Sequence, residues 1–510
     1  MAYNIKNVLE WLEQTAERLP DKTAFDDGNE QICFEDVRDK AQKIGAGLHK
    51  ILKDVNLPIA VLSGRNVYTP IAFLGVVYAG CFYAPLDATA PTGRLKTILK
   101  NLHPAVLVIS DEFQELAAEL LEENLVPMVS LEELMQSEAA DEDLVYFRSV
   151  RETMQPEDPL YVIHTSGSSG VPKGVLTGHA SLINYIDAYT KVMGITEADI
   201  LGNQSPLDYI AAIRDIYIPL KTGASTYIIP KKDFTAPALL FADMTEKKVT
   251  SIGWSVNALT IPANMGVFEK GRPEYLNKIC FSGSVMPCKV LRIWQENLPE
   301  AKFVNQYGPT EATASCTYYE IPGIVSDDDV LPIGKPYDNY EVFLLNEDLT
   351  VTKDGEIGEI CVGGPVLSLG YINAPELTAK SFIKDPRGGD GIVYKTGDLG
   401  SMAKDGNLLF HGRKDRQIKH LGHRVELGEI EEAAKRVDGI SECVSLYKEE
   451  SEQIYLFYTG SATTKEIAVA LRKTLPGFMV PRKFVLLEQM PELANGKVDM
   501  QSLKGMLKNN

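Results

Sequence analysis

Apolar residues recur along this chain in two alternating rhythms, and that alternation restricts the fold more than any other feature. Val8 to Leu19 and Phe34 to Leu52 place apolar positions at helical spacing, whereas Ile59 to Leu62 and Ala105 to Ile109 are short β-rich runs between helical segments. Helix and strand signals that take turns predict a layered α/β architecture with largely parallel sheets. The 510 residues exceed the roughly 250 to 300 at which one hydrophobic core stops growing, so two or more core units are expected. From about Leu331 the texture changes to shorter strands joined by Gly and Asp turns, in YEVFLLNED, GEIGEICVGG and GNLLFHGR, which predicts a β-rich lobe. After Arg413 a helical segment from Glu426 to Arg436 precedes strands around Cys443–Leu446 and Ile454–Tyr458. A small α+β domain of about 95 residues is expected there.

Composition works by exclusion. With 45% hydrophobic and 24% charged residues, the chain is that of a soluble globular protein, not a disordered or collagen-like one. A net charge of −19 opposes attraction to phosphate backbones and anionic lipid, so neither nucleic acid nor a membrane is an expected partner. The start, MAYNIKNVLEWLEQ, lacks the basic segment and apolar run of a secretory signal. Ile71 to Leu86 is apolar but contains Gly75, Gly80 and Pro85 and falls short of the ~20 residues of a membrane span; it reads as a buried helix followed by a strand. The seven cysteines are scattered and never approach C-x-x-C spacing, which predicts reduced, mostly buried thiols and a cytoplasmic location.

Chemistry concentrates in a few segments. The strongest is His164-Thr165-Ser166-Gly167-Ser168-Ser169-Gly170-Val171-Pro172-Lys173-Gly174, after the strand-like Leu160 to Ile163. Its small residues let backbone N–H groups and hydroxyls approach an anion, and Lys173 adds a mobile positive charge. It is not a Walker A loop, because Lys173 precedes Gly174 and no Lys-Ser/Thr follows the second glycine. A flexible Ser/Gly linker would explain the composition but not the terminal Pro-Lys-Gly. In Asn305-Gln306-Tyr307-Gly308-Pro309-Thr310-Glu311 a flat aromatic, a tight turn, a hydroxyl and a carboxylate could stack a base and ligate Mg²⁺; alone it is equally a surface turn. Tyr394 to Leu399 presents Asp398 on an expected turn after a strand, where a carboxylate can accept two ribose hydroxyls. Asn495-Gly496-Lys497 sets one lysine beside an expected turn, and a loop lysine by itself means little.

Eight segments occur in order: GVVYAGCFYAPLD (75–87), HTSGSSGVPKG (164–174), NQYGPTE (305–311), GEIGEICVGGPVLSLGY (355–371), YKTGDL (394–399), GRKDRQIKHLGHRVELGEIE (412–431), LPGFMVP (475–481) and NGKVD (495–499). With them the chain resembles, almost end to end, the acyl-adenylate-forming superfamily, and within it the adenylation domains of nonribosomal peptide synthetases and D-alanine–carrier-protein ligases. The resemblance implies a large α/β domain over 1–414 and a small mobile domain over 415–510. It implies a carboxylate attacking the α-phosphate of ATP, then a thiol displacing AMP. Thr165, Ser166, Gly167, Ser168, Ser169, Gly170 and Lys173 are then expected to hold the β- and γ-phosphates, with Glu311 helping to bind Mg²⁺. Tyr307 is expected against adenine and Asn305 at its exocyclic amine, with Gly308 and Thr310 completing that motif. Asp398 and Arg413 are expected at the ribose, Lys497 at the developing charge of the adenylation step, and Asp415 as the hinge.

Which acid is activated is where the sequence departs from the family pattern. Relatives that activate amino acids usually carry Phe-Asp after the phosphate loop, the Asp pairing with the substrate ammonium. A gap-free alignment puts Tyr209-Ile210 there, and a two-residue shift brings in Asp208. An α-amino acid on Asp208 and an acid without an α-amine against Ile210 are both open. The same alignment lines the pocket with Ala211, Arg214, Asn257, Cys280, Ser282, Gln306, Ala314 and Ser315. Turned inward, Arg214 offers a bidentate partner for a second carboxylate or a polar ring substituent; turned outward, it pairs with a surface acid.

The expected acceptor is the phosphopantetheine thiol of a carrier protein acting in trans, since no attachment site follows Lys497; alternatively, the chain is one domain cut from a larger synthetase. An acyl-CoA or aryl-CoA ligase is the alternative, and a noncatalytic nucleotide-binding module a remote one. His420 and His423 have H-x-x-H spacing but no third ligand at zinc-like spacing, and read as loop histidines. Trp11, Trp254 and Trp294 read as packing residues, Trp254 being the one candidate for the acyl pocket wall.

Overall fold

A computed structural model describes residues 5–122, 126–167, 171–491 and 498–509. The chain divides into two compact units: Met1–Ala88, Leu102–Ile163 and Gly174–Lys414 form the first, and Thr89–Asn101, His164–Lys173 and Asp415–Asn510 the second. One break falls between Lys414 and Asp415. The others place two earlier segments with the C-terminal residues, a grouping that a sequential reading does not contain.

In the first unit the two rhythms become the layers they predict. The helix Val8–Arg18 starts where the Asn7 side chain accepts the Leu9 N–H, and it buries Val8, Leu9, Trp11 and Leu12. The apolar stretch after Val67 is indeed a helix, Tyr68–Tyr78, buried from Thr69 onward and followed by the strand Phe82–Asp87. That strand lies in a seven-stranded sheet ordered Gly370–Tyr371, Lys173–Gly178, Pro159–Thr165, Phe82–Asp87, Pro58–Ser63, Val106–Ile109, Met128–Ser130.

A nine-stranded sheet runs Lys335–Pro336, Thr317–Glu320, Lys302–Tyr307, Lys278–Ser282, Ser251–Ser255, Ile200–Asn203, Ser225–Ile228, Thr23–Asp26, Gln31–Cys33. Its centre is parallel and its edges antiparallel. Successive side chains on a strand point to opposite faces, so this sheet separates two cores. Cys280 and Val304 face the core that holds Leu9, Ile44 and Ile71; Ile252, Trp254, Ile279, Phe281 and Phe303 face another. The β-rich lobe expected after Leu331 is an antiparallel sheet of Glu341–Leu345, Gly358–Gly363, Ile392–Met402, Phe382–Lys384 and Leu408–Arg413.

In the second unit the hairpin Gln417–His420/His423–Glu426 leads into the helix Leu427–Lys435. The strands Ile440–Lys448, Gln453–Gly460 and Lys483–Leu486 form a sheet. The helix Thr464–Thr474 is opened by a Thr463/Glu466 capping box. Val425, Ile430, Leu456, Ile467 and Leu471 close the core between them. Among the described residues no helix is long and apolar enough to cross a membrane.

Candidate active site

Asn305, Gln306 and Tyr307 end the strand Lys302–Tyr307, so alternation sends Gln306 to one face of the sheet and its two neighbours to the other. The Asn305 amide donates to the Pro332 carbonyl at 2.7 Å, which leaves its Oδ1 as the acceptor an amino group needs. The Tyr307 hydroxyl donates to Asp398 Oδ2 at 2.5 Å, and Arg413 donates to Asp398 Oδ1 at 2.5 Å and to the Thr396 carbonyl at 3.1 Å. Tyr307, Asp398 and Arg413, the residues expected at the nucleotide, are thus brought into one hydrogen-bonded cluster. Burial, with Asp398 beside it, holds the Tyr307 hydroxyl well above its usual range.

Asp398 does not stand on a turn after a strand, as the Gly397-Asp398 pair predicts. It lies within the strand Ile392–Met402, directly opposite Arg413, where the register slips between Asp398 and Gly400. Gly397 takes φ +75°, so the glycine makes a bulge that re-aims the carboxylate without ending the strand.

Beyond Gly308, Thr310 and Glu311 open a single 3₁₀ turn, Thr310–Ala312, and both are buried. Glu311 Oε1 accepts the Tyr371 hydroxyl at 2.7 Å. Thr313 and Ala314 follow at φ 44° and 74°, left-handed conformations of side-chain-bearing residues, which cost of order 1–3 kcal/mol each and cluster at functional sites. One buried carboxylate suits Mg²⁺, which keeps several waters and is bound through one or two carboxylates together with substrate phosphates. Among the described residues no group of three or more His, Cys, Asp or Glu is placed to hold a metal by itself.

The residues expected around the acid gather on the other face of the same sheet. Register pairs Gly253 with Cys280 and Ser255 with Ser282, and Cys280 with Val304, so Gly253, Ser255, Cys280, Ser282 and Gln306 share one side at the carboxyl ends of parallel strands, where open α/β sheets bind ligands. Asn257 is half-buried on the helix Val256–Asn264, Ile210 is buried at the start of the 3₁₀ turn Ile210–Ala212, and Asp208 is half-buried before it.

Arg214 is turned inward and 2% exposed; the outward alternative does not hold. Its Nη2 donates to the Gly253 carbonyl at 2.5 Å. Trp254, one residue further along the strand, faces the opposite core and bonds the Gly202 carbonyl at 2.8 Å, so alternation removes it from the acyl side.

The residues expected at the outer phosphates belong to the second unit. Thr165 and Ser166 are buried, and the Ser166 hydroxyl donates to the Arg424 carbonyl at 2.7 Å. The Gly167 N–H donates to Glu429 Oε2 at 3.2 Å and Lys173 Nζ to Glu426 Oε1 at 3.3 Å. Arg94 Nη1 donates to Glu429 Oε1 at 2.8 Å. Burial pushes the Glu429 carboxyl up, and burial beside Arg94 pushes His164 down to about 3. Ser168, Ser169, Gly170 and Lys497 lie outside the described residues. Asp415, at the first position of the C-terminal segment, accepts the Gln417 N–H at 3.2 Å.

His420 and His423 are not in a loop: they face each other across the hairpin, His420 against Tyr447 and His423 stacked on Phe478 at 3.9 Å. Strand alternation at a two-residue turn produces the H-x-x-H spacing. Sequence reasoning overlooked Arg94, Glu426, Glu429 and Gly253. The two glutamates stood inside a quoted motif, at the start of a helix; a glycine inside a strand pattern signals close approach; Arg94 carried no signal.

Comparison with known proteins decides the family. The AMP-binding enzyme family matches residues 12–372. The chain belongs to that family. It is an enzyme of the AMP-forming adenylation-domain type, with the large α/β and smaller C-terminal domains of the adenylate-forming fold. It is 29% identical over 503 residues to tyrocidine synthase 1 of Brevibacillus parabrevis, covering 98% of this chain and 45% of that one; the chain spans less than half the length of the relatives it matches. Among solved structures it superposes on the Vibrio cholerae adenylation domain AlmE, in complex with glycyl-adenosine-5'-phosphate, with TM-score 0.84, 21% identity and coverage of 100% and 99%. A fused adenylation–PCP di-domain from Klebsiella oxytoca gives TM-score 0.80 at 21% identity, covering 100% and 98%. Both structural likenesses bear on the fold alone.

Proposed function

We propose that this AMP-binding enzyme adenylates a small amino acid or related carboxylic acid with ATP and passes the acyl group to the phosphopantetheine thiol of a carrier protein. The observation that supports this reading is the end of one strand, where Tyr307 joins the hydrogen-bonded cluster of Asp398 and Arg413 and Gln306, one residue away, turns to the opposite face beside Arg214. In the first step a substrate carboxylate oxygen forms a bond to the α-phosphorus, the bond from that phosphorus to the β-phosphate bridge breaks, and pyrophosphate leaves. Both reactants are anionic, so the protein must offset repulsion and fix the line of attack. Thr165–Gly170 and Lys173 hold the outer phosphates, Asn305 and Tyr307 the base, and Asp398 and Arg413 the ribose. Glu311 would hold Mg²⁺, which supplies charge neutralisation at the phosphates when bound. Lys497 meets the charge that develops on the acid and nucleotide. In the second step the thiol sulfur forms the thioester, its proton is released, and AMP leaves.

In this reading residues 1–414 bind nucleotide and acid, 415–510 form a small mobile domain, and Asp415 is the hinge between half-reactions. The resemblance to adenylation domains of nonribosomal peptide synthetases, with 29% identity to tyrocidine synthase 1, supports an amino acid or small acid and a carrier as acceptor. ATP–pyrophosphate exchange over a panel of acids tests it. Exchange with at least one acid, reduced at least ~10²-fold in Lys497→Ala, is expected; absence of exchange with every acid overturns it. Asp415→Pro, which fixes φ, should spare exchange and impair thioester formation. Loading of free CoA in preference to holo-carriers would replace the carrier by CoA.

A further inference from the structure

In the first unit Arg214 is buried and Arg65 half-buried, and they are satisfied very differently. Arg65 shares its guanidinium among three carbonyls, those of Ser205 (2.5 Å), Asn203 (2.9 Å) and Ile229 (3.3 Å). That is how a purely structural arginine is neutralised by backbone dipoles. Arg214 has one short bond, to the Gly253 carbonyl, and two long contacts from Nη1, to Gln306 Oε1 at 3.4 Å and Cys280 Sγ at 3.8 Å. Its Nε is buried and has no partner. No carboxylate among the described residues forms an ion pair with it. The adjacent Asp215 is turned to Asn203, whose amide donates to it at 2.7 Å. Asp215 attracts the guanidinium electrostatically without forming an ion pair with it, and a guanidinium has five donors, so a buried one whose donors are not all met is expensive.

The surroundings are built around this cation. A Cβ on Gly253 would stand 2.8 Å from Arg214 Cζ and 2.9 Å from Nη2, so only glycine leaves room for the guanidinium against the strand. The Tyr189 ring lies 5.5 Å from Cζ. The Tyr185 hydroxyl is fully buried and lies close to Arg214 and Ser315. An unpaired Arg214 donor and the Tyr185 hydroxyl thus lie together on the side of the sheet that carries Ser255, Ser282 and Gln306.

We infer that the acid activated by this enzyme carries a second carboxylate, which Arg214 and Tyr185 receive at the base of the pocket. The inference rests on the adenylation reading above, because it names the substrate of that same site. A side-chain carboxylate supplies the direct ion pair that Asp215, turned to Asn203, does not make, and accepts from the unpaired Arg214 Nε. Its neutral amide would supply no charge and would turn N–H groups toward a cation.

The test compares paired acids: aspartate with asparagine, glutamate with glutamine, and succinate with succinamate. In wild-type exchange assays the anionic member of at least one pair should exceed its amide about 10²-fold, the scale on which a buried charge pair counts. Arg214→Gln should abolish that preference mainly through KM for the acid, while Arg214→Lys should restore part of it. Equal exchange with acid and amide in every pair, or a uniform loss across all acids in Arg214→Gln, would overturn the inference, and the first comparison needs no variant. If no acid supports exchange, the adenylation reading fails separately. The anion site is then judged by thermal denaturation with millimolar aspartate, glutamate or succinate. A rise in Tm in wild type that is lost in Arg214→Gln sustains the site, and no rise with any of them refutes it.

Discussion

The Glu429 carboxylate accepts the backbone N–H of Gly167 at 3.2 Å, so an acid of the protein itself sits on a donor of the proposed phosphate loop. Glu426 does the same for Lys173 and the Arg424 carbonyl for Ser166. Three loop donors are therefore engaged by oxygen atoms from one short segment, within one unit. A phosphate that uses these donors must displace the oxygens. Hydrogen bonds to charged groups contribute about 1.5–3 kcal/mol, and Glu429 retains Arg94 after release. Glu429→Gln, which keeps the shape and removes the charge, should tighten ATP binding roughly three- to tenfold. Calorimetric Kd values for ATP on both proteins check this; an unchanged or weaker Kd would mean that the contact does not compete with nucleotide.

The Tyr307–Asp398–Arg413 cluster makes a second prediction. Asp398 and Arg413 are both largely buried, and removing one member of a buried pair leaves the other uncompensated. Asp398→Asn should lose about 3 kcal/mol of stability, whereas Tyr307→Phe, which keeps the ion pair, should lose only about 1 kcal/mol. Denaturant midpoints measure both. Similar losses in the two variants would show that the tyrosine bond, and not the ion pair, holds the cluster.

How far the chain could be read in advance depends on the range of the interactions involved. Alternating periodicity is local, and it located the buried helix Tyr68–Tyr78, the strand after it and the antiparallel lobe. Asp398 was placed on a turn because Gly-Asp usually marks one, but the two neighbouring strands hold the backbone extended around the bulge. The inward turn of Arg214 could not be decided from spacing, since what decides it is the missing Cβ of Gly253 on a strand 39 residues away. The contacts of Glu429 with Gly167 and Arg94 span 262 and 335 residues. No local pattern encodes such pairs.

Gly253→Ala tests that missing Cβ directly. The added methyl would overlap the guanidinium and force it off its 2.5 Å bond to the same residue's carbonyl. Overpacking a tight site costs typically about 1–3 kcal/mol. The expected result is a lower Tm together with loss of discrimination between anionic and amide forms of the acid. A Tm and a selectivity both equal to wild type would show that the space beside Arg214 is larger than these distances allow.

Asp215 sets the pH dependence. Burial pushes its carboxyl up to about 6, against the pull of Arg214, the Asn203 amide and Arg65; an ordinary aspartate titrates near 4. Between those values the folded protein keeps a proton that the unfolded chain has released. Stability from this group is therefore complete below about pH 4, falls as the pH rises to about 6, and is level beyond. The full loss is on the order of 3 kcal/mol. Asp215→Asn has no proton to lose, so its stability relative to wild type should rise across that window and hold constant from pH 6.5 upward. Other carboxylates cancel in the difference between the two proteins. Denaturant titrations at pH 4, 5, 6 and 7 supply it, and a difference that stayed flat, or fell with increasing pH, would show that Asp215 is already ionised in the folded protein at pH 4.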